Sequence, residues 1–196
     1  MIFLRRAALP AVLLFTLTGC AAGPAEAEPA PPAPIQEEAP PAETTAFDGG
    51  AAVASITSCD QVEAVFGTYI AGLDPVESNS VDEWGAYCQW ETPEGAVDLL
   101  EIRSVGVQVS PQEGGEAPPL DLLEQMDGFS RIDDAAIARH GGLAYSLTAE
   151  IAVAAVTVTT VWLPGAEVTV TGGKWGEHPA LDGPAAVAAT VQLLGL

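Results

Sequence analysis

The chain has 196 residues, 48% of them hydrophobic, and sets 27 acidic residues against six lysines and arginines, a net charge of −21. That length leaves room for one domain of ordinary size plus appendages. An acid surplus of this size repels phosphate backbones and anionic head groups and argues against a nucleic-acid partner; it either draws a basic protein or a cation, or simply keeps the chain soluble.

The N-terminus opens with the short positive segment "MIFLRR", followed by the apolar run "AALPAVLLFTLTG". A run of about a dozen residues is too short to span a bilayer as a stable helix, so the two together predict a secretory signal peptide over residues 1–19. Arg5 and Arg6 leave the twin-arginine export route open beside the general one. If they are removed with the signal, only Arg103, Arg131, Arg139 and Lys174 remain against all 27 acids.

The run ends in "LTGC", which resembles the bacterial lipobox, with Leu17, Thr18 and Gly19 before Cys20. A thiol is the nucleophile that forms a thioether with a diacylglyceryl group, and small residues before it let the backbone enter a protease cleft. Cleavage is therefore expected between Gly19 and Cys20, with Cys20 lipidated; the alternative is an ordinary secreted chain with a chance cysteine. Two acyl chains, at about 0.8 kcal/mol per buried methylene, suffice for stable anchoring where one is marginal. The expected address is the extracytoplasmic face of the cell membrane.

Residues 20–54 then read as a tether. From Ala21 to Gly50 there are seven prolines, six acids and no basic residue, a composition that cannot bury enough apolar surface to offset ordering entropy. Proline favours an extended helix of about 3.1 Å per residue, so thirty residues reach at most roughly 90 Å. The tract serves reach; a motif for a proline-reading domain is the alternative.

Residues 55–196 have a globular pattern. In "SCDQVEAVFG" Ser58 and Gln61 predict a capping box, Val62, Val65 and Phe66 share a face, and Gly67 closes the helix. "AYCQWE" predicts a strand with Ala86, Cys88 and Trp90 on one side. "VDLLEIRSVGVQVS" reads as strand throughout, with a bulge or bend near Ser104 to Gly106. "SPQEGGEAPP" is a loop, and "PPLDLLEQMDG" predicts a helix of two to three turns stopped by Gly128. In "RIDDAAIARHGG" either Asp133 or Asp134 caps a short helix, or the segment is a strand end. "LAYSLTAEIAVAAVTVTTVW" is β-rich and too long for one strand, which places a turn near Ala149 and Glu150. Pro164 and Gly165 predict a type II turn with "EVTVTGG" returning antiparallel. "LDGPAAVAATVQLLGL" predicts a helix started by Asp182 and Pro184, with Val187, Val191 and Leu194 as its apolar stripe. The fold class expected from this order is α+β, an antiparallel sheet with helices packed on one face. Cys59 and Cys88, the pair left after Cys20, suit a disulfide in an oxidising compartment that would pin the first helix to the sheet.

The lipobox, the Pro/Ala-rich spacer, "SCDQVEAVFG" and "YCQWE" together resemble small actinobacterial lipoproteins of unassigned function. In that family a cysteine opens the first helix and a second precedes a tryptophan by two positions, here Cys59, Cys88 and Trp90. The resemblance implies export, lipid anchoring and a disulfide shared by the family. It carries over no catalytic residue and no ligand.

Catalytic chemistry is short of parts. "HGG" at His140–Gly142 resembles an esterase oxyanion segment, but no Gly-x-Ser-x-Gly elbow accompanies it. His140 and His178 lack partners at metal-ligand spacing, and Asp133–Asp134 sits in no calcium-loop pattern. No catalytic residue, metal site or cofactor is expected. The stretch "GGKWGEHPALDG" gathers Lys174, Trp175, Glu177 and His178 in a possible binding loop. Its bland alternative is a turn in which Trp175 covers the core edge and Lys174 pairs with an acid. Trp84 has the same standing. Two function classes follow. One is an interaction or accessory module docking on an envelope protein, with no catalysis; the other binds a small molecule, peptide or lipid in a pocket between sheet and helices. The valine- and alanine-rich strands favour the first.

Overall fold

The computed structural model describes residues 47–98, 101–113, 116–151 and 154–196. The predicted signal segment, Cys20 and the predicted tether as far as residue 46 lie outside the described residues. The folded part begins ahead of Ser55, because α1 (Gly49–Ala54) already belongs to it. Asp48 caps this helix, its Oδ1 accepting from the Ala51 N–H at 2.9 Å. A Cβ on Gly49 would lie 2.4 Å from the Pro164 carbonyl oxygen, so only glycine lets α1 seat there, and Val53 is buried behind it. The Phe47 ring sits 5.3 Å from that of His140.

The second helix, α2 (Cys59–Ile70), starts where the capping residues predict. Gln61 Oε1 accepts from the backbone N–H of Thr57 at 2.6 Å and of Ser58 at 3.2 Å. Gly67 does not close it. Val62, Phe66 and Ile70 bury one continuous stripe at four-residue spacing, and that packing carries the helix three residues past the glycine. An added Cβ at Gly67 would meet nothing within 4 Å. Gly67→Ala is therefore expected to raise stability by about 0.5–1 kcal/mol, read as a higher denaturation midpoint; a lower midpoint would contradict the placement.

Two short strands, β1 (Asp74–Pro75) and β2 (Ser80–Asp82), pair with opposite ends of β3 (Gly85–Glu91). Between them the Asn79 side chain stands in for a strand residue. Its Oδ1 accepts from the Gln89 N–H at 2.7 Å and its Nδ2 donates to the Gln89 carbonyl at 3.1 Å. A sheet edge broken up in this way offers a poor template for pairing with another chain.

Next comes β4 (Ser104–Pro111), shorter than the strand expected from Val97 onward. Its ladder to β3 runs unbroken from Glu91↔Ser104 to Ala86↔Val109, so the expected bulge is absent there. Residues 97–98 and 101–103 lie beyond the end of β3, where Pro93 has no N–H to offer and Gly95, at φ 92°, turns the chain. Of the described residues there, Arg103 still meets Thr92, its carbonyl accepting from the Thr92 N–H at 3.1 Å, and Val97, Asp98, Glu101 and Ile102 are in no strand. The predicted helix around Leu120 to Met126 shrinks to one 3-10 turn, Leu123–Gln125. Leu120 is buried, but Leu122 and Met126 are exposed, so no apolar face supports longer helix.

A meander follows: β5 (Phe129–Ile132), α3 (Ala135–Arg139), β6 (Leu143–Ile151), β7 (Ala154–Leu163) and β8 (Ala166–Trp175). Asp134 caps α3 by accepting from the N–H groups of Ala136 and Ile137, which resolves the ambiguity of that segment. The break in the long β-rich stretch falls between Ile151 and Ala154, just past Ala149 and Glu150. Pro164 and Gly165 make the expected two-residue turn, with Gly165 at φ 86° and Leu163 opposite Ala166. The last helix, α4 (Gly183–Leu194), is capped by Asp182 and ends at Gly195 in the left-handed region.

Spatially the strands run β1/β2, β3, β4, β8, β7, β6, β5, every pair antiparallel. Ala86, Cys88 and Trp90 of β3 line up with Val105, Val107 and Val109 of β4 and, beyond them, with Val168 and Val170 of β8. The helices cover this face, and Val62, Phe66, Ala186 and Val187 fill the space between. The fold is the expected α+β class. Cys59 and Cys88 are bonded, joining the first turn of α2 to the middle of β3. Among the described residues no helix is long and apolar enough to cross a membrane.

Candidate functional site

Strand alternation sends every second residue to the face away from the helices. At the Trp162 end of β7 that face is covered, since Trp162 is 4% exposed although its neighbours Val161 and Leu163 point into the main core. Over β3, β4 and β8 it lies open. Tyr87, Gln89, Gln108, Thr169 and Thr171 surround Gly106 and enclose a depression of about 260 Å³. A second depression of about 400 Å³ continues from it, lined by Glu91, Ile102, Arg103, Ser104, Val156 and Trp175. Ser104 lines both, so they form one furrow along the strands.

Side chains along β3 are already ordered against each other. The Tyr87 hydroxyl donates to Gln89 Oε1, and Gln89 Nε2 donates to Glu91 Oε1 at 2.6 Å. A chain of hydrogen bonds polarises its members and holds them in one orientation. The floor is bare because Gly106 has no side chain. A Cβ there would find Thr171 Cβ at 3.8 Å and nothing nearer, so the furrow's depth is not forced by crowding.

Arg103 closes the rim and is buried. Its Nη1 donates to the Tyr69 carbonyl at 2.7 Å and its Nη2 to the Ala71 carbonyl, both at the C-terminal end of α2. Burial lowers its pKa, while the nearby Glu101 carboxylate pushes the other way. The guanidinium thus serves the helix end, whose carbonyls lack intrahelical partners and carry partial negative charge.

Of the predicted loop residues, Trp175 enters the furrow, while Lys174 and Glu177 stand exposed. The base that meets an acid is His178 rather than Lys174: its Nε2 lies 3.1 Å from Glu101 Oε2. That contact ties the turn after β8 to the segment before β4. Trp84 is 76% exposed in the turn between β2 and β3, at the opposite end of the sheet from Trp175. His140 packs on Phe47, far in sequence and partners from His178. Asp134 is a helix cap and Asp133 makes only a surface contact of 4.0 Å with Arg131. No group of three or more metal-ligating side chains is assembled among the described residues.

Sequence reading picked out Trp175 but missed Tyr87, Gln89, Gln108, Arg103 and Glu101. The alternation of Tyr87, Gln89 and Glu91 with Ala86, Cys88 and Trp90 carries part of the signal. The pairing of β4 with the distant β8 does not show in any local pattern. Compared with known proteins, the chain matches no family model, no curated protein and no solved structure.

Proposed function

We propose that the protein is an exported lipoprotein, held on the extracytoplasmic face of the cell membrane by a diacylglyceryl group on Cys20, that acts as a non-catalytic interaction module at the envelope. The open face of β3, β4 and β8 is its binding surface. The observation that carries this reading is the contrast between the two sides of the sheet. The helix side is filled by residues of 0–2% exposure, among them Phe66, Val107, Val170 and Val187, which disfavours the alternative of a ligand pocket between sheet and helices. The other side keeps an ordered polar furrow uncovered. The signal peptide, lipobox and tether supply the address, as the resemblance to small actinobacterial lipoproteins also implies. The chain coming from Cys20 enters the fold at α1, beside the Pro164–Gly165 turn, whereas Trp175 stands at the far end of β8. Those ends are about 30 Å apart at the usual rise per strand residue.

Site-specific photo-cross-linking of the full chain in its own envelope tests the assignment of the surface. A photoreactive residue replacing Gln108, in the furrow, is expected to yield cross-links to an envelope component. The same group replacing Glu63, exposed on the outer side of α2, is expected to yield none. Cross-links from Glu63 alone would move the binding surface to the helices.

A further inference from the structure

We infer that the furrow takes a neutral, polyhydroxylated chain, a glycan strand of the envelope; the inference rests on the open face being the binding surface. Its two ends carry aromatic side chains on the same face. Tyr87 lies opposite Gln108, Gly106 opposite Thr171, and Trp175 four residues further along β8. Six strand steps separate the rings, about 20 Å along the furrow. The face of an aromatic ring carries negative quadrupole density and attracts the C–H bonds that line one side of a sugar ring.

Beside Tyr87 stand Gln108 and Thr169, and between the rings Gln89, Ser104 and Thr171, all of them amides and hydroxyls. Each both donates and accepts, as a sugar hydroxyl does, so either orientation of a hydroxyl finds a partner. The Tyr87–Gln89–Glu91 chain fixes part of this set before any ligand arrives, which lowers the ordering cost of binding.

Charge narrows the class further. Among the residues lining the furrow, Glu91 and Arg103 are the ionic ones, and the Arg103 guanidinium is turned to the carbonyls of α2. An anionic polymer meets Glu91 and a chain of net charge −21, and Arg103, already engaged with α2, is the one basic residue among the described residues lining the furrow. A cationic partner finds one carboxylate. An apolar helix or acyl chain finds amides and hydroxyls in the centre. A neutral hydroxylated chain satisfies all three conditions, with the Glu91 carboxylate accepting from its hydroxyl groups.

Native gel electrophoresis of the full chain, extracted in a non-glycosidic detergent, tests this. Gels contain dextran, laminarin, mannan or galactan, with alginate as the anionic control. One or more of the neutral polysaccharides is expected to retard the chain, at low and raised salt alike, and alginate is not. Gly106→Leu fills the furrow floor without a backbone clash and is expected to abolish the retardation while leaving the thermal melt intact. Trp175→Ala is expected to weaken it roughly tenfold, the scale of one lost aromatic contact. Retardation by alginate alone, retardation unchanged in Gly106→Leu, or no retardation by any neutral polysaccharide overturns the inference. If cross-links from Gln108 persist in that last case, the glycan class fails and the open-face reading stands; if they vanish too, both fall.

Discussion

Replacing Cys59 and Cys88 together by alanine lowers the stability of the domain by about 3–4 kcal/mol, the largest loss expected from any change that removes so few atoms. The bond closes a loop of sequence separation 29 between the first turn of α2 and the middle of β3. In the unfolded chain that closure removes conformations, and the loop-entropy relation sets the magnitude. In the folded chain Cys88 is fully buried in the core that also holds Ala86, Trp90 and Val107, and its bond ties that core to the first turn of α2. The measurement is urea denaturation of the oxidised chain, the reduced chain and the double variant. The two lacking the bond should unfold at a common, lower midpoint. An unchanged midpoint on reduction would mean that helix and sheet are held together by packing alone.

Arg103→Met is expected to cost about 2–3 kcal/mol, the scale of hydrogen bonds that involve a charged group. Methionine keeps most of the aliphatic stem, so the loss isolates the two bonds to the Tyr69 and Ala71 carbonyls. Lysine is no substitute. Its compact ammonium lacks the planar fork that reaches both carbonyls at once, and Arg103→Lys should recover only part of the loss. Besides the lower denaturation midpoint, amide exchange in the last turn of α2 should quicken, because that turn loses its clamp to β4. Full stability in Arg103→Met would show that water satisfies the helix end equally well.

Much of the fold was legible because its signals are local. The Gln61 reach-back at the start of α2, the Asp182–Pro184 start of α4, the Pro164–Gly165 turn and the alternation in β3 each need only a few neighbouring residues to be read. Failures cluster where distant contacts decide. Gly49–Ala54 has the small-residue composition of a tether, and it folds because Gly49 fits under the Pro164–Gly165 turn. The sequence from Val97 to Arg103 has the apolar content of a strand, but its described residues lie past the end of β3, and the Arg103 side chain goes to the end of α2. Leu122 and Met126 look like half of a helical stripe and face solvent. The candidate site divides in the same way. Trp175 stands out by composition, whereas Tyr87 and Gln108 join it only through the β3–β4–β8 register.

The proposed mature chain has two covalent marks, an anchor at Cys20 and the closed bond between Cys59 and Cys88. Intact mass spectrometry of the chain purified from membranes of the exporting cell measures both at once. The account predicts a chain beginning at Cys20, heavier than its peptide by a diacylglyceryl group and unreactive toward thiol reagents until reduced. A membrane-purified chain that retains residues 1–19, or that carries no lipid on Cys20, would contradict it.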